Sequence, residues 1–541
     1  MGGGTNIPRT VVSPMPKTRT HSPPPQPSAS CENKNGKRPL LSTDQNQTEG
    51  KEKVQWAADV LRTEETRDQW LEAVAILESA HEAGVENASG CLAWCYEMGR
   101  GVSRDDARAF VLYKESADAG NMASCYSTAF FLHVGRGTGK IDYVTALAYF
   151  EKAARMGHAT AHYNVGRAYV EGEGTGVCFK TAASWHEEAA GLGVVKAMRT
   201  LGWMFGTGVH PEGLSVEKAL HWYTRAAEKE DDESQFQLGN LHASSSSPLH
   251  NDEKAFFWYK KAAEQGYAKA QISVAFCFAQ GKGVARSNHQ AFYWYKQAAQ
   301  NGMTSAFYPL AQSYLKGKGT PSSAENAVFW FKKGEEEGHV KCQVSLATCH
   351  HYGKGTPKNI VEAARLYRLA AEKGDTRAQL HLGLCYEHGS GVPQSAEDAF
   401  RWIRESSLAD NMRATYHLAR MYETGTGTAP SLDQAFSNYL MAAKGGETQA
   451  FMPVAWCYEH GRGVERSETS ALDWYVRAAE KGCVRAMFKV GQFNEQGRAM
   501  QRPCRSEALR WYQLSAKKGN PKALQRIVDL PFEGNGNREW A

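Results

Sequence analysis

One spacing governs most of this chain. A string of the form A-x3-L-G-x2-Y-x2-G-x-G, or a close variant, starts at Ala161, Ala197, Ser234, Ala270, Ala306, Cys342, Ala378, Ala414, Ala450 and Ala486. From 234 to 486 every step is 36 residues, and Ala88 and Ala123 extend the series upstream with steps of 35 and 38. A second string follows in each interval, as EKALHWYTRAAEKE from 217, DEKAFFWYKKAAEQG from 252, HQAFYWYKQAAQNG from 289 and SALDWYVRAAEKG from 470. A period of this length means that each repeat is one supersecondary unit that buries its apolar face only against its neighbours. It also removes the size limit on a single core, which 541 residues would otherwise exceed.

The first string sets Ala, Leu, Gly and Tyr at spacings of four, one and three, which is one face of a helix at 3.6 residues per turn. The second sets Ala, Trp, Tyr, Ala and Ala at three, one, three and one, again one face. The GxG between them ends the first helix and permits the positive φ of the turn. Gly266, Gly302, Gly374 and Gly482 stand where a C-terminal cap belongs on the second helix. Gly166, Gly202, Gly239, Gly383 and Gly491 sit inside the first helix, with Ala275, Ala311, Ala347, Ala419 and Ala455 in the same slot elsewhere. A small residue there lets the paired helix approach closely while its Trp and Tyr fill the gap. The expected fold is all-α: an α-solenoid superhelix of about twelve 36-residue helix–turn–helix repeats, tetratricopeptide-like in architecture.

The period, the A…LG..Y..G.G half and the KA..WY.KAAE.G half resemble Sel-one-like repeats, relatives of tetratricopeptide repeats, over about 67–530. The resemblance implies a right-handed superhelix that binds other proteins or assembles complexes. Some members act as adaptors of ubiquitin-ligase complexes, others as activators of membrane enzymes.

Four regions follow. Residues 1–55 have no Phe, Trp or Tyr and hold eight of the 19 prolines, so they read as a disordered Pro/Ser-rich tail. Ser13-Pro14, Ser22-Pro23 and the PxxP of Pro24 and Pro27 lie in it. Residues 56–85 read as an N-terminal capping region with a lone helix at about 67–84, 86–519 as the twelve repeats, and 520–541 as a C-terminal capping helix and short tail. NLHASSSSPLHND at 240–252 lacks the GxG and reads as a loosened turn and a bend, and QGRAMQRPCRSE at 496–507 is also off pattern.

The balance of charge, +5 formally, excludes a strong nucleic-acid or membrane field. No stretch is apolar enough to span a membrane, and the N-terminus lacks the apolar run of a signal peptide. Gly2 is followed at the sixth position by Asn6, which does not suit myristoylation. Twelve dispersed cysteines without a CxxC point to free thiols and a cytoplasmic or nuclear setting.

CYEHG at 385–389 and 457–461 pairs a cysteine with a histidine three residues on, as half a metal site would. The cysteine slot also accepts Ala168, Met204, Ser313 and Met421, so it selects a compact side chain. The two copies are two repeats apart, roughly 20 Å at about 10 Å per layer, and cannot share an ion. GRGTGK at 135–140 imitates a phosphate loop, but Val134 and Ile141 occupy positions that the motif gives to Gly and Ser/Thr. No catalytic motif, metal site or cofactor is expected.

The expected activity is therefore non-catalytic: a scaffold or adaptor holding partner proteins on the concave face. The alternative is a regulatory subunit of a membrane-associated enzyme or of a ubiquitin-ligase complex. Candidate anchors after the Leu-Gly pair are Trp94, Arg167, Trp203, Phe276, Arg420 and Trp456; one turn earlier are Tyr163, Tyr308, Tyr416 and Phe488. A basic stripe of Lys196, Lys269, Lys341, Arg377, Arg413 and Arg485 precedes the marker residue and suits an acidic peptide or a solvated helix start. The partner and the oligomeric state are not readable from the sequence.

Overall fold

The computed structural model describes residues 43–62, 66–499 and 502–530, with backbone only at 43–47. The two Ser-Pro sites, the PxxP, Gly2 and the last residues from 531 lie outside the described residues. Among those described there are 27 α-helices, two short 3-10 turns and no strand. The chain divides into two compact units; the division falls inside one helix, between Val274 and Ala275, and residues Lys282–Ala285 belong with the first unit.

The first unit starts with α1 (Thr43–Arg62) and α2 (Arg67–Glu82). Four repeats follow: α3 (Ala88–Met98) with α4 (Asp106–Asp118), α5 (Met122–Val134) with α6 (Tyr143–Arg155), α7 (Ala159–Glu171) with α8 (Phe179–Gly191), and α9 (Val195–Thr207) with α10 (Val216–Ala227). The fifth pairs α11 (Asp232–Ala243) with α12 (Asp252–Glu264), and α13 (Ala268–Gln280) contains the boundary.

The second unit continues with α14 (Asn288–Gln300), α15 (Phe307–Lys316), α16 (Ala324–Glu336), α17 (Val340–Tyr352), α18 (Ile360–Glu372), α19 (Thr376–His388) and α20 (Ala396–Leu408). It ends with α21 (Met412–Thr424), α22 (Leu432–Lys444), α23 (Phe451–His460), α24 (Glu468–Glu480), α25 (Val484–Gln496), α26 (Arg505–Lys517) and the closing α27 (Pro521–Asp529). Odd numbers up to α25 are the leading helices of each pair, even numbers the trailing ones.

The helices begin and end where local chemistry dictates. Ser or Asn side chains at Ser215, Asn251, Ser287, Asn359 and Ser467 accept the third-residue amide of the trailing helices, a cap worth about 1 kcal/mol each. Leading helices close on left-handed glycines such as Gly172, Gly389 and Gly461. Pro309 and Pro453 lie in the first turns of α15 and α23, where the missing N–H costs nothing, and a 3-10 turn precedes each of these helices.

The small slot works as the spacing predicts. A Cβ on Gly202 would stand 2.7 Å from the Tyr223 ring, and one on Gly491 would stand 2.6 Å from Tyr512. His186 fills the tyrosine slot against Gly166, and Ile403 fills it against Gly383. The second glycine of GxG has a role the sequence did not show. A Cβ at Gly137, Gly174, Gly355, Gly391, Gly427 or Gly463 would overlap the backbone at the start of the preceding trailing helix. The glycine lets one repeat's turn sit on the helix of the repeat before it.

A buried carboxylate brackets pair to pair at both ends. Glu97 accepts the Tyr113 hydroxyl at 2.7 Å and Arg136 at 2.7 Å, with Arg136 also on Asp106 at 2.7 Å. Glu459 accepts Tyr475 at 2.6 Å, Arg498 at 2.8 Å and Lys489 at 3.1 Å. Glu423 and Glu495 keep the tyrosine bond, to Tyr439 at 2.8 Å and Tyr512 at 2.6 Å. In the repeat of α19 and α20 the tyrosine slot is Ile403, and Glu387 Oε2 is buried without a hydrogen-bond partner among the described residues.

Two expectations are corrected. The helix at 67–82 is not alone: α1 pairs with it, through Val54, Ala57 and Leu61 packed on Ala73, Leu77 and Leu92. Residues 43–55, expected within a disordered tail, belong to that helix. The 240–252 turn is not loose. Its helix ends on Ser244 without a left-handed glycine, but the His242 ring meets the Leu249 carbonyl at 2.9 Å and the Asn251 amide bonds the His242 carbonyl at 2.8 Å.

Candidate partner-binding surface

The anchor residues expected on the leading helices fall into three groups. Tyr163 is 7% exposed, packed with Met198 and Leu201, because its position turns it toward the next pair; it is a core residue and not a surface anchor. Arg167 is half-buried and engaged internally, at 2.7 Å from His133 Nε2 and 3.2 Å from Glu173. Trp203 bridges two core clusters, against Phe205 and Ala219 on one side and Ala182 and Met204 on the other.

Trp94 and its neighbours form the second group. Arg100 lies between Trp94 and Trp70, 5.3 and 5.1 Å from the ring centroids, and donates to the Leu61 carbonyl at the end of α1. Trp94 borders a cavity of about 600 Å3 between α1 and the starts of α3, α5 and α7. Lys51, Arg62, Asn121 and His158 also line it. The helix absent from the sequence reading therefore forms one wall.

The third group is half-buried or exposed. Phe276 and Arg420 are each 47% exposed. Trp456 is half-buried, with Arg462 at 4.7 Å and His460 at 4.8 Å from its ring. Tyr308, Tyr416 and Phe488 are half-buried, each with an aromatic neighbour: His339 at 6.2 Å, Tyr439 at 5.8 Å and Tyr512 at 5.4 Å. In the second unit, Tyr416 and Trp456 pack on one shared core cluster. A surface absent from the sequence reading lies on the trailing helices, where Tyr293 and Phe329 are 47% and 51% exposed beside Trp294 and Trp330. The signal was the residue before each Trp in the second string.

CYEHG resolves into two unrelated roles. Cys385 and Cys457 are buried, and burial pushes each thiol up to about 11, so both are protonated and inert at neutral pH. His388 and His460 turn back to the carbonyls of Leu384 at 3.1 Å and Trp456 at 3.0 Å. Cysteine and histidine do not converge. Among the described residues no three His, Cys, Asp or Glu side chains gather as a metal site would require.

Comparisons with known proteins agree with this architecture. No curated protein sequence matches the chain. A protective antigen of uropathogenic Escherichia coli with an SLR fold superposes with a TM-score of 0.72 at 24% identity, covering 86% of this chain and 99% of its own. A Sel1 repeat protein of Oxalobacter formigenes is 25% identical, with a TM-score of 0.49, over 58% of this chain and 91% of its own. The Sel1 repeat model matches twelve segments: 91–121, 123–158, 159–194, 195–231, 232–267, 268–303, 308–339, 340–375, 376–411, 413–447, 454–483 and 484–520. Twelve helix pairs in register, each matched by that model, show that this chain belongs to the Sel1 repeat family.

Proposed function

We propose that the chain is a non-catalytic scaffold or adaptor that holds partner proteins on the face of its leading helices. One observation carries the reading. In the second unit, Tyr416, Arg420 and Trp456 are part-exposed on successive leading helices whose other faces are locked into the core. Such side chains are displayed at fixed spacing, so little ordering entropy is lost on the scaffold's side when a partner binds. Sel1 repeat proteins generally mediate protein–protein interaction, which supports the same reading.

Tyr293 and Phe329 favour a second reading, in which the partner sits on the trailing helices of that unit. Regulation of a membrane-associated enzyme or of a ubiquitin ligase is a narrower version of the scaffold reading. No helix among the described residues is long and apolar enough to cross a membrane. The free cysteines of the described residues support a reducing compartment, cytoplasm or nucleus.

The test is affinity purification of the full chain from its own cells, beside Trp456→Ala, with mass spectrometry of the co-purifying proteins. Partners lost from a variant with an unchanged circular dichroism spectrum support the reading and identify the cargo. An identical partner list moves the binding surface elsewhere.

A further inference from the structure

Three consecutive leading helices of the second unit, α17, α19 and α21, bring arginines and half-buried histidines together with few carboxylates to match them, and α17 supplies His351. α19 supplies Arg377 and His381, and α21 supplies Arg413, His417 and Arg420. The groups act on one another across the helices. Burial, then the charges of Arg413, His351 and Arg377, hold the His381 ring down to about 4, with Asp375 acting the other way. Burial, then Arg420, Arg413, His388 and His381, hold His417 down to about 4. Both rings are neutral at pH 7.

The geometry is fixed and unsatisfied. His381 lies flat on Tyr367 of α18, with centroids 5.0 Å apart and planes at 18°. His417 Nδ1 and His351 Nδ1 are buried with no hydrogen-bond partner among the described residues. The nearby carboxylates are committed or too few. Asp375 accepts the Arg377 and Ala378 amides at 3.1 and 2.9 Å and lies 3.7 Å from the Arg377 guanidinium. Glu423 takes the Tyr439 hydroxyl. Glu387 reaches Arg420 only at 4.0 Å, and Arg413 makes no ion pair among the described residues. Exposed guanidinium forks on rigid helices match carboxylates two at a time.

We propose that the face formed by α17, α19 and α21 is a docking site for an acidic peptide segment of a partner protein, with its carboxylates on Arg377, Arg413 and Arg420 and against His381 and His417. This rests on the reading that leading helices carry the partner surface, and it names the chemistry of the partner. Carboxylates brought beside the two imidazoles favour their protonated forms, so docking takes up protons and tightens as pH falls.

The test is fluorescence anisotropy of a labelled peptide of alternating Glu and Gly, titrated with the full chain in about 0.15 M salt. The expected result is binding that weakens about tenfold in Arg413→Gln/Arg420→Gln. The charge-matched control Lys332→Gln/Lys517→Gln, at two exposed sites outside this face, should bind as the wild type does. Affinity should rise between about pH 8 and about pH 6, and His381→Asn/His417→Asn should remove that rise. Glu387→Gln should tighten binding. No binding at either pH, equal weakening in the control, or equal affinity for a thymidine oligonucleotide would overturn the proposal. If the chain still loses its cellular partners on Trp456→Ala in that case, the scaffold reading stands and only the acidic-peptide assignment falls.

Discussion

Replacing Glu459 by glutamine should cost about 3 kcal/mol, while the same change at Glu387 should cost less than about 0.5 kcal/mol. Both carboxylates occupy the same slot of the repeat, nine residues after the marker. Glu459 is buried and takes Tyr475, Arg498 and Lys489 at once. Burial alone would raise its pKa. The hydrogen bonds from Tyr475, Arg498 and Lys489, with the Lys489 charge, outweigh that and lower it from 4.5 to about 2. A shift of that size corresponds to about 3 kcal/mol at neutral pH. A similar figure is expected for breaking one side of a buried ion pair. Glu387 has Ile403 where the tyrosine would be, so its change removes no such bond.

Urea unfolding at pH 7 measures the two costs. Hydrogen exchange should localise the Glu459→Gln effect to α23–α27, because a repeat stack couples nearest neighbours. The folded-state pKa lies below the unfolded one, so the contribution is complete above about 4.5 and is lost as pH falls toward about 2. The gap between wild type and Glu459→Gln should therefore shrink from pH 7 to pH 3. Equal costs for the two substitutions, or a gap unchanged with pH, would refute the reasoning.

Gly391→Ala should cost more than about 2 kcal/mol, because its Cβ would overlap the Ile360 carbonyl as well as straining a residue at φ +75°. Gly389→Ala, at φ +64° with the Gln394 Cβ at 3.3 Å and the nearest backbone atom no closer than 3.7 Å, should cost about 1 kcal/mol in the same unfolding assay. His186 is fully buried, with neither ring nitrogen hydrogen-bonded among the described residues, and burial pushes it down from 6.5 to about 3. The unfolded chain then binds the proton first, so stability is lost as pH drops below about 6.5, by about 2 kcal/mol at pH 5 from this residue alone. His186→Leu should flatten that part of the stability profile, read as Tm against pH. Trp203→Ala should lower the stability of its repeat by about 3 kcal/mol, whereas Trp456→Ala should cost less and act mainly on partner capture; thermal unfolding separates the two.

The period made the fold legible. Two strings returning every 36 residues leave few alternatives to stacked helix pairs, and the small slot at Gly202 or Gly491 named the close contact in advance. The start of the stack was misread because the boundary followed aromatic content. Val54, Ala57 and Leu61 already repeat at helical spacing, and they carry α1 onto α2 and α3. The site was only half legible. Arg167 and Arg420 occupy equivalent positions, yet Arg167 finds His133 and Glu173 while Arg420, among the described residues, has a carboxylate only in Glu387 at 4.0 Å. That difference depends on side chains supplied by neighbouring repeats, which a position within one repeat does not specify. The isolation of Glu387 has the same origin, in the single exchange of tyrosine for Ile403 across the pair.

The most direct test of the scaffold account places a photo-crosslinking residue at single positions of the full chain in its own cells. Positions 420 and 456 probe the leading helices, and positions 293 and 329 probe the exposed aromatics of the trailing helices. The account predicts partner crosslinks from 420 and 456 and none from 293 or 329. Crosslinks confined to 293 and 329 would place the partner on the opposite helices and contradict it.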